Sequence, residues 1–535
     1  MKNYKIHTLV FATLLITGCA QELNELTPPE VVTPETPTGS RGTLNFTKFV
    51  TIGNSLVAGF RSNALYTEGQ NESIGKIIAK QVSYTGAPVV FNQPDINSEN
   101  GFSGFIPTTT TPLGKLVLYD PDGVGPRGAS PSASATPARE TTCPSAVSTP
   151  AMPAPYNTAS SPLAAGWAYT GNKALLNNFG VPGITVGELL VPTSPNPAHA
   201  TYYTSRFASN PGTSTILGDA LAVGPTFILV EIGNNDILGY ATGGASTPSL
   251  LTSSTDFTTR INAVIGTILT NSAASGVVAN IPNVTSIPYF FTVPWNAIPL
   301  TAEQAAGATT SLATPYNGFL QSLVAGGVIT AEEAQKRTLT FAAKSNNPIL
   351  ISDETLTDLT PFMTGPAAGL LPYARARQTT ATDLITLPAG GVLGTCVGGS
   401  PTVLNGISFP LGDNLVLIPS ETQEILTRTA EFNTAIAAAV AGSNNRLALA
   451  DVNAAFTSFV ATKGAVVDGM LLTPSITPPY AGFSEDAVHP NGRGYAFLAN
   501  IFIDAINSKF STTIPKAKIT DYSGNRTPIS PTNSY

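Results

Sequence analysis

The sequence predicts an α/β protein: a three-layer α/β/α sandwich around a mostly parallel sheet, with two large irregular insertions. Three observations predict it. Short apolar runs such as TKFVTI, TFILVEI and GVVANI recur along the chain and are too short for helices. Stretches with a helical apolar period alternate with them, the pattern of a parallel sheet covered on both faces. Two long segments rich in Pro, Gly, Thr and Ser interrupt the alternation.

The elements follow in order. Thr47 to Ile52 reads as a buried strand with a small-residue turn after it. Ile74 to Val82 has helical spacing. Residues 94–167 form the first insertion, with one strand expected at Lys115 to Tyr119 (KLVLY). Thr226 to Ile232 is a second strand, Thr255 to Asn271 an amphipathic helix, and Gly276 to Ile281 a third strand. Residues 284–413 form the second insertion, and order returns at Leu415 to Ile418. Ser420 is expected to cap the next helix, with Gln423 as its capping-box partner. Ile425, Phe432, Ile436 and Val440 keep its period, and Gly442 ends it. Leu447 to Val452 is a further strand, and Gly494 to Lys509 a final helix.

At 535 residues the length alone allows three to four domains of about 150 residues. The pattern reduces this to one domain over 46–512, followed by a tail over 513–535. Charged residues are 11%, far below the roughly 25% of an average soluble domain. A net charge of -7 argues against a nucleic-acid partner, which needs a basic face. Three Cys and three His leave little room for a zinc site. Neither a metal nor a cofactor is expected, and the chain is read as a monomer.

The N-terminus sets the expected compartment. Lys2 and Lys5 precede a short apolar stretch, Leu9 to Ile16, too short to span a bilayer. Ile16-Thr17-Gly18-Cys19 resembles a bacterial lipobox. The resemblance implies removal of residues 1–18, lipid on Cys19 and attachment to the cell envelope. Residues 19–45, rich in Pro, Thr and Glu, read as a tether. In an oxidising compartment the two remaining thiols, Cys143 and Cys396, invite one disulfide.

Histidine narrows the chemistry. His7 belongs to the leader, and His199 has no acid near it in sequence. His489 follows Asp486 by three residues in FSEDAVHPNGRGY, and Pro490 biases it toward a loop. A carboxylate at that spacing is able to orient an imidazole that serves as a base. Ser55, in FVTIGNSLVAG, sits after a strand and a turn-permitting Gly53, with its N–H at the start of a helix. Asn235 in IGNND lies at the end of the TFILVEI strand, where doubly wound sheets bind ligands. Gly183, in NNFGVPGITVGELL, is expected to open a helix and offer a backbone N–H. Each feature alone is common in proteins that catalyse nothing.

Together, and in this order, the four segments resemble the SGNH hydrolases, also called GDSL esterases and lipases. The resemblance implies a flavodoxin-like sheet. It assigns Ser55 as nucleophile, His489 as base and Asp486 as its orienting acid. It places the Ser55 and Gly183 N–H groups and the Asn235 amide in an oxyanion hole. Asn54 departs from the pattern, standing where the family often has Asp. The resemblance implies a carboxylic ester hydrolase. Lipid or fatty-acyl esters, acetyl groups on polysaccharide, and a weakly catalytic scaffold binding glycan or protein all remain open. The second insertion is expected to line the substrate entrance, with Phe290, Phe291, Trp295, Phe362 and Tyr373 as acyl-contacting aromatics or as packing for the insertions' own small cores.

Overall fold

A computed structural model describes residues 37–105, 111–119, 127–129, 168–194 and 200–528. Cys19, Cys143, His199 and most of the tether lie outside the described residues, as does the lipobox. From Thr38 onward the chain is one unit.

Five strands make the central sheet: β1 (Phe49–Gly53), β2 (Asn178–Gly180), β3 (Phe227–Glu231), β4 (Ser275–Ala279) and β5 (Leu447–Ala450). All pairings are parallel, in the order β2-β1-β3-β4-β5. The chain order therefore reverses between β1 and β3, and doubly wound sheets bind ligands in the crevice at such a switch point. Gly53 of β1 stands opposite Gly180 of β2 and Glu231 of β3, so these three strands end level. Every residue of β1, β2 and β3 is buried. Successive strand side chains point to opposite faces, so both faces are covered.

Among the described residues the helices about the sheet include α1 (Ser55–Ala58), α2 (Ile74–Ser83), α3 (Ile216–Ala222), α4 (Asn235–Thr242), α5 (Ser254–Asn271), α6 (Pro419–Ala441), α7 (Val452–Ala461) and α8 (Gly492–Phe510). In α5 the buried residues Phe257, Ile261, Val264, Ile265 and Ile268 form one stripe of helical period. That stripe meets α6, where the Phe432 ring stacks on Phe257 at 3.9 Å between centroids and 11° between planes. Helices α2 and α8 form a second packed pair.

Several expectations shift. β2 has only three residues, Asn-Phe-Gly, and no apolar run announces it. Its Asn178 bends back, accepting the Gly180 N–H through Oδ1 and donating to the Val57 carbonyl. Helix α6 is not capped by Ser420. Pro419 takes the first helical position, where its missing N–H costs nothing, and Glu421 accepts the Ile418 N–H at 2.8 Å. Gln423 donates to Thr427 instead. The run Leu447 to Val452 is split, because Asp451 caps α7 through the Ala454 N–H. Of Leu415 to Ile418, Val416–Leu417 pair antiparallel with Leu384–Ile385, outside the central sheet. The KLVLY strand is Val117–Tyr119, paired with Arg127–Ala129. Residues beyond 512 are not a loose tail in their described part, since Ile514, Ala517 and Ile519 are buried in the main core.

The second insertion packs on itself. One cluster gathers Tyr316, Leu320, Leu350 and Leu359; another gathers Ile298, Ile349, Ile351 and Leu411. Tyr373 packs on the first and Trp295 on the second. Ion pairs of two buried arginines, Arg337 with the half-buried Glu333 and Arg377 with the buried Asp353 and Asp383, fix the same segment. Cys396 is disulfide-bonded, while Cys143, its expected partner, lies outside the described residues. Among the described residues no helix is long and apolar enough to cross a membrane.

Candidate active site

The loop after β1 is shaped by close contacts. A Cβ at Gly53 would lie 1.9 Å from the Glu231 carbonyl oxygen, so only glycine fits. Asn54 then caps α1, accepting the Leu56 N–H at 2.9 Å through Oδ1. Ser55 follows as the first residue of α1 and is 7% exposed. Gly59, at φ 77°, ends the helix after one turn.

His489 lies 434 positions further along, yet its Nε2 is 2.9 Å from Ser55 Oγ. Its Nδ1 is 2.9 Å from Asp486 Oδ2. With the proton on Nδ1, the imidazole donates to Asp486 and accepts from the Ser55 hydroxyl. The loop carrying both residues is tight. Ser484 N–H donates to the His489 carbonyl at 2.8 Å, and Ala487 adopts φ 60°. The ring of Phe60 meets the imidazole edge to face at 5.1 Å.

Asp486 is saturated with donors. Oδ1 accepts the N–H groups of Val488 and His489 and the Ser484 hydroxyl. Oδ2 accepts the Asn63 N–H at 2.7 Å as well as the imidazole. Burial raises its pKa, but the charge and hydrogen bonds of His489, with the Val488 N–H, outweigh this and hold it below the ordinary carboxylate value.

Asn235 is the first residue of α4 and lines the same cleft as Ser55 and His489. One N–H of its amide donates to the Ile184 carbonyl at 2.8 Å, and the amide carries a second. This bond joins α4 to the loop that holds Gly183. Gly183 does not open a helix, contrary to expectation. It sits in a turn at φ 84°, three residues past β2, and the next helical turn starts only at Val186. Asp236 ties that turn down by accepting the Val186 N–H at 2.9 Å. Neither the Ser55 nor the Gly183 N–H has an acceptor among the described residues.

Beside the relay opens a cleft of about 860 Å3, its mouth included. Phe456 and Phe459 from α7, Phe497, Leu498 and Ile501 from α8, and Leu472 wall it. Its few polar side chains, Ser55, Asn234, Asn235 and His489, belong to the relay and to the start of α4. None of the five insertion aromatics lines it. Phe290 is buried in the main core, Phe291 and Phe362 are exposed, and the other two pack in the insertion. An insertion of this length has its own apolar surface to bury, and Trp295 and Tyr373 are used there. Of the second insertion, Val284 and Ile287 do line the cleft; the signal for the rest of its wall was the Phe456/Phe459 spacing on α7, which reads in sequence as ordinary core. Ser62 and Asn63, which brace the Ser484 to Asp486 loop, carried no signal beyond an Asn able to adopt positive φ.

Compared with protein-family models, with curated proteins and with solved structures, the chain matched none.

Proposed function

We propose that this chain is a serine carboxylic ester hydrolase acting on esters with an apolar acyl chain. One observation carries the reading: Ser55 Oγ, the His489 ring and Asp486 Oδ2 form a continuous relay, each link 2.9 Å, at one end of an apolar cleft.

In the proposed reaction Ser55 Oγ attacks the ester carbonyl carbon as its proton passes to His489 Nε2. The carbonyl oxygen becomes an oxyanion, stabilised by the Ser55 and Gly183 N–H groups and the Asn235 amide. The C–O bond to the alcohol breaks, His489 returns the proton to the leaving oxygen, and an acyl-Ser55 ester remains. Water then adds to that ester with His489 again as base, releasing the acid and restoring Ser55. Asp486 stays ionised throughout and keeps the imidazole in the donating tautomer. The sheet order and the placement of Ser55 beside the switch point support the resemblance to SGNH hydrolases.

The cleft favours a fatty-acyl ester over polysaccharide acetyl. Each buried methylene contributes about 0.8 kcal/mol, whereas sugar hydroxyls would find few partners on these walls. A binding scaffold has no use for a serine hydrogen-bonded to an oriented imidazole. Lipid attachment at Cys19 and an envelope location belong to the same proposal and rest on the ITGC sequence.

The test is hydrolysis of p-nitrophenyl esters of increasing acyl length. Catalytic efficiency is expected to rise with chain length until the cleft is filled. Preference for acetyl would overturn the acyl assignment, and no hydrolysis of any ester would overturn the esterase reading.

A further inference from the structure

A second group of buried polar side chains lies at the end of β3, against the nucleophile turn. Glu231, the last residue of β3, is 3% exposed. Its Oε1 accepts a hydrogen bond from Asn234 Nδ2 at 2.9 Å. Its carbonyl accepts the Asn54 N–H at 3.2 Å. Three buried atoms of this group have no hydrogen-bond partner among the described residues: Glu231 Oε2, Asn234 Oδ1 and Asn54 Nδ2.

Two of these three are oxygens on side chains already joined by one hydrogen bond. If Glu231 is a carboxylate, Asn54 Nδ2 is the one donor that acts on it besides Asn234, it makes no well-formed hydrogen bond to Oε2, and Asn234 Oδ1 is left facing acceptors only. A single proton on Oε2 removes both defects. A carboxylic acid offers one donor and one acceptor, and a primary amide offers the complementary pair. Asn234 Nδ2–H then donates to Oε1 while Oε2–H donates to Asn234 Oδ1.

The surroundings give an ionised carboxylate two amide groups but no counter-charge, and burial outweighs the amides. No charged side chain contributes to the Glu231 environment; burial and the amides of Asn234 and Asn54 do. Tyr495 of α8 is the titratable group that feels Glu231, and its hydroxyl donates to the Phe60 carbonyl at 2.6 Å. Arg61, Asp486 and Tyr66 act on Tyr495 too. The position of the carboxyl matters for the site. Asn54 immediately precedes Ser55 and caps its helix, and Asn234 immediately precedes Asn235.

We propose that Glu231 is held as a neutral carboxylic acid, its proton bridging Oε2 to Asn234 Oδ1, and that it acts as a positioning residue for the Ser55 turn and the Asn234–Asn235 loop. The kinetic half of this inference rests on the esterase reading; the protonation half does not. Burial pushes the carboxyl up to about 8, so the bridging proton is present at neutral pH and lost in mild alkali. Losing it sets two oxygens against each other between the nucleophile turn and the Asn235 loop.

Two measurements on the full chain test this. Infrared difference spectra of wild type against Glu231→Gln at neutral pH should show a protonated-carboxyl carbonyl band that only the wild type has. The band should vanish as the pH rises through about 8. In parallel, wild-type kcat should fall over that same pH range with KM little changed, and Glu231→Gln should lack this alkaline limb. Glu231→Ala should lower kcat on the order of tenfold, with Glu231→Gln restoring most of it. Asn54→Asp, which sets a second carboxyl against the first, should lose activity that Asn54→Asp/Glu231→Gln regains. Absence of the band at neutral pH overturns the proposal whatever the kinetics. A band with identical pH profiles for wild type and Glu231→Gln overturns the positioning role. A band in a protein that hydrolyses no ester overturns the esterase reading and the positioning role with it, and leaves the neutral acid standing.

Discussion

The backbone N–H of Asn63 donates to Asp486 Oδ2 at 2.7 Å, on the same oxygen that takes the His489 Nδ1–H. The loop leaving α1 thus holds Asp486. Ser62 reinforces it, with its N–H donating to Ser484 Oγ at 2.8 Å and its hydroxyl to Glu485 Oε2 at 2.7 Å. Both ends of the relay are therefore set from one short segment after β1, and the Asp486 to His489 loop cannot drift from Ser55 without breaking these bonds.

Asn63 adopts φ 55° with an exposed side chain, so its backbone shape is what the site uses. Asn63→Gly keeps both that shape and the N–H and should retain activity within a few-fold. Asn63→Val, strained by about 1–2 kcal/mol in the left-handed region, should lower both the melting temperature and kcat. Equal kinetics for the two variants would show that the Asn63 bond does not position Asp486.

The cleft walls should set chain-length preference. Phe497→Trp, which fills the cleft, is expected to shift the optimum to shorter acyl chains. Phe456→Ala, which widens it, should favour longer ones, each by roughly 1–3 kcal/mol of discrimination. Trp295→Ala should leave the profile in place while lowering stability, because Trp295 packs in the second insertion. A profile that follows Trp295 and ignores Phe497 would show that the acyl chain binds elsewhere.

How much of this was legible in the sequence divides by physical origin. Strands β1, β3 and β4 announce themselves by apolar runs, because strands buried on both faces need them. β2 does not, since three residues ending in glycine carry no period. The relay residues were legible because Ser55, Asp486 and His489 are chemically restricted types set beside turn signals. The cleft was not, because Phe456 and Phe497 are indistinguishable in sequence from core residues until α7 and α8 are placed together. Trp295 misled for the converse reason: being large and near a strand end says nothing about which small core claims it. Glu231 looked like one polar residue in a buried strand, and only its juxtaposition with Asn54 and Asn234 gives it meaning.

Gly180 tests the fit of β2 against α1. A Cβ there would lie 2.2 Å from the Ala58 nitrogen and 2.6 Å from the Val57 carbonyl carbon, both backbone atoms that cannot turn aside. Gly180→Ala should cost on the order of 1–3 kcal/mol of stability and displace α1, with kcat falling more than KM changes. Wild-type melting and kinetics in Gly180→Ala would contradict this packing.

Asp486 also makes acid stability specific. Its folded pKa is held below the ordinary carboxylate value, so its hydrogen bonds stabilise the fold above that value. That contribution is lost as the pH falls through the lowered one. Acid titration of unfolding free energy should show a steeper loss for wild type than for Asp486→Asn below about pH 4. Parallel curves would mean that the carboxylate contributes no such stabilisation.

Covalent labelling decides whether Ser55 is a nucleophile activated by His489. The full chain is incubated with an alkyl fluorophosphonate, and the adduct is located by peptide mass spectrometry. The expected result is a single adduct on Ser55, absent from Ser55→Ala and slowed on the order of 10³-fold in His489→Ala. A wild-type protein that takes up no label, or takes it on another residue, would contradict the account.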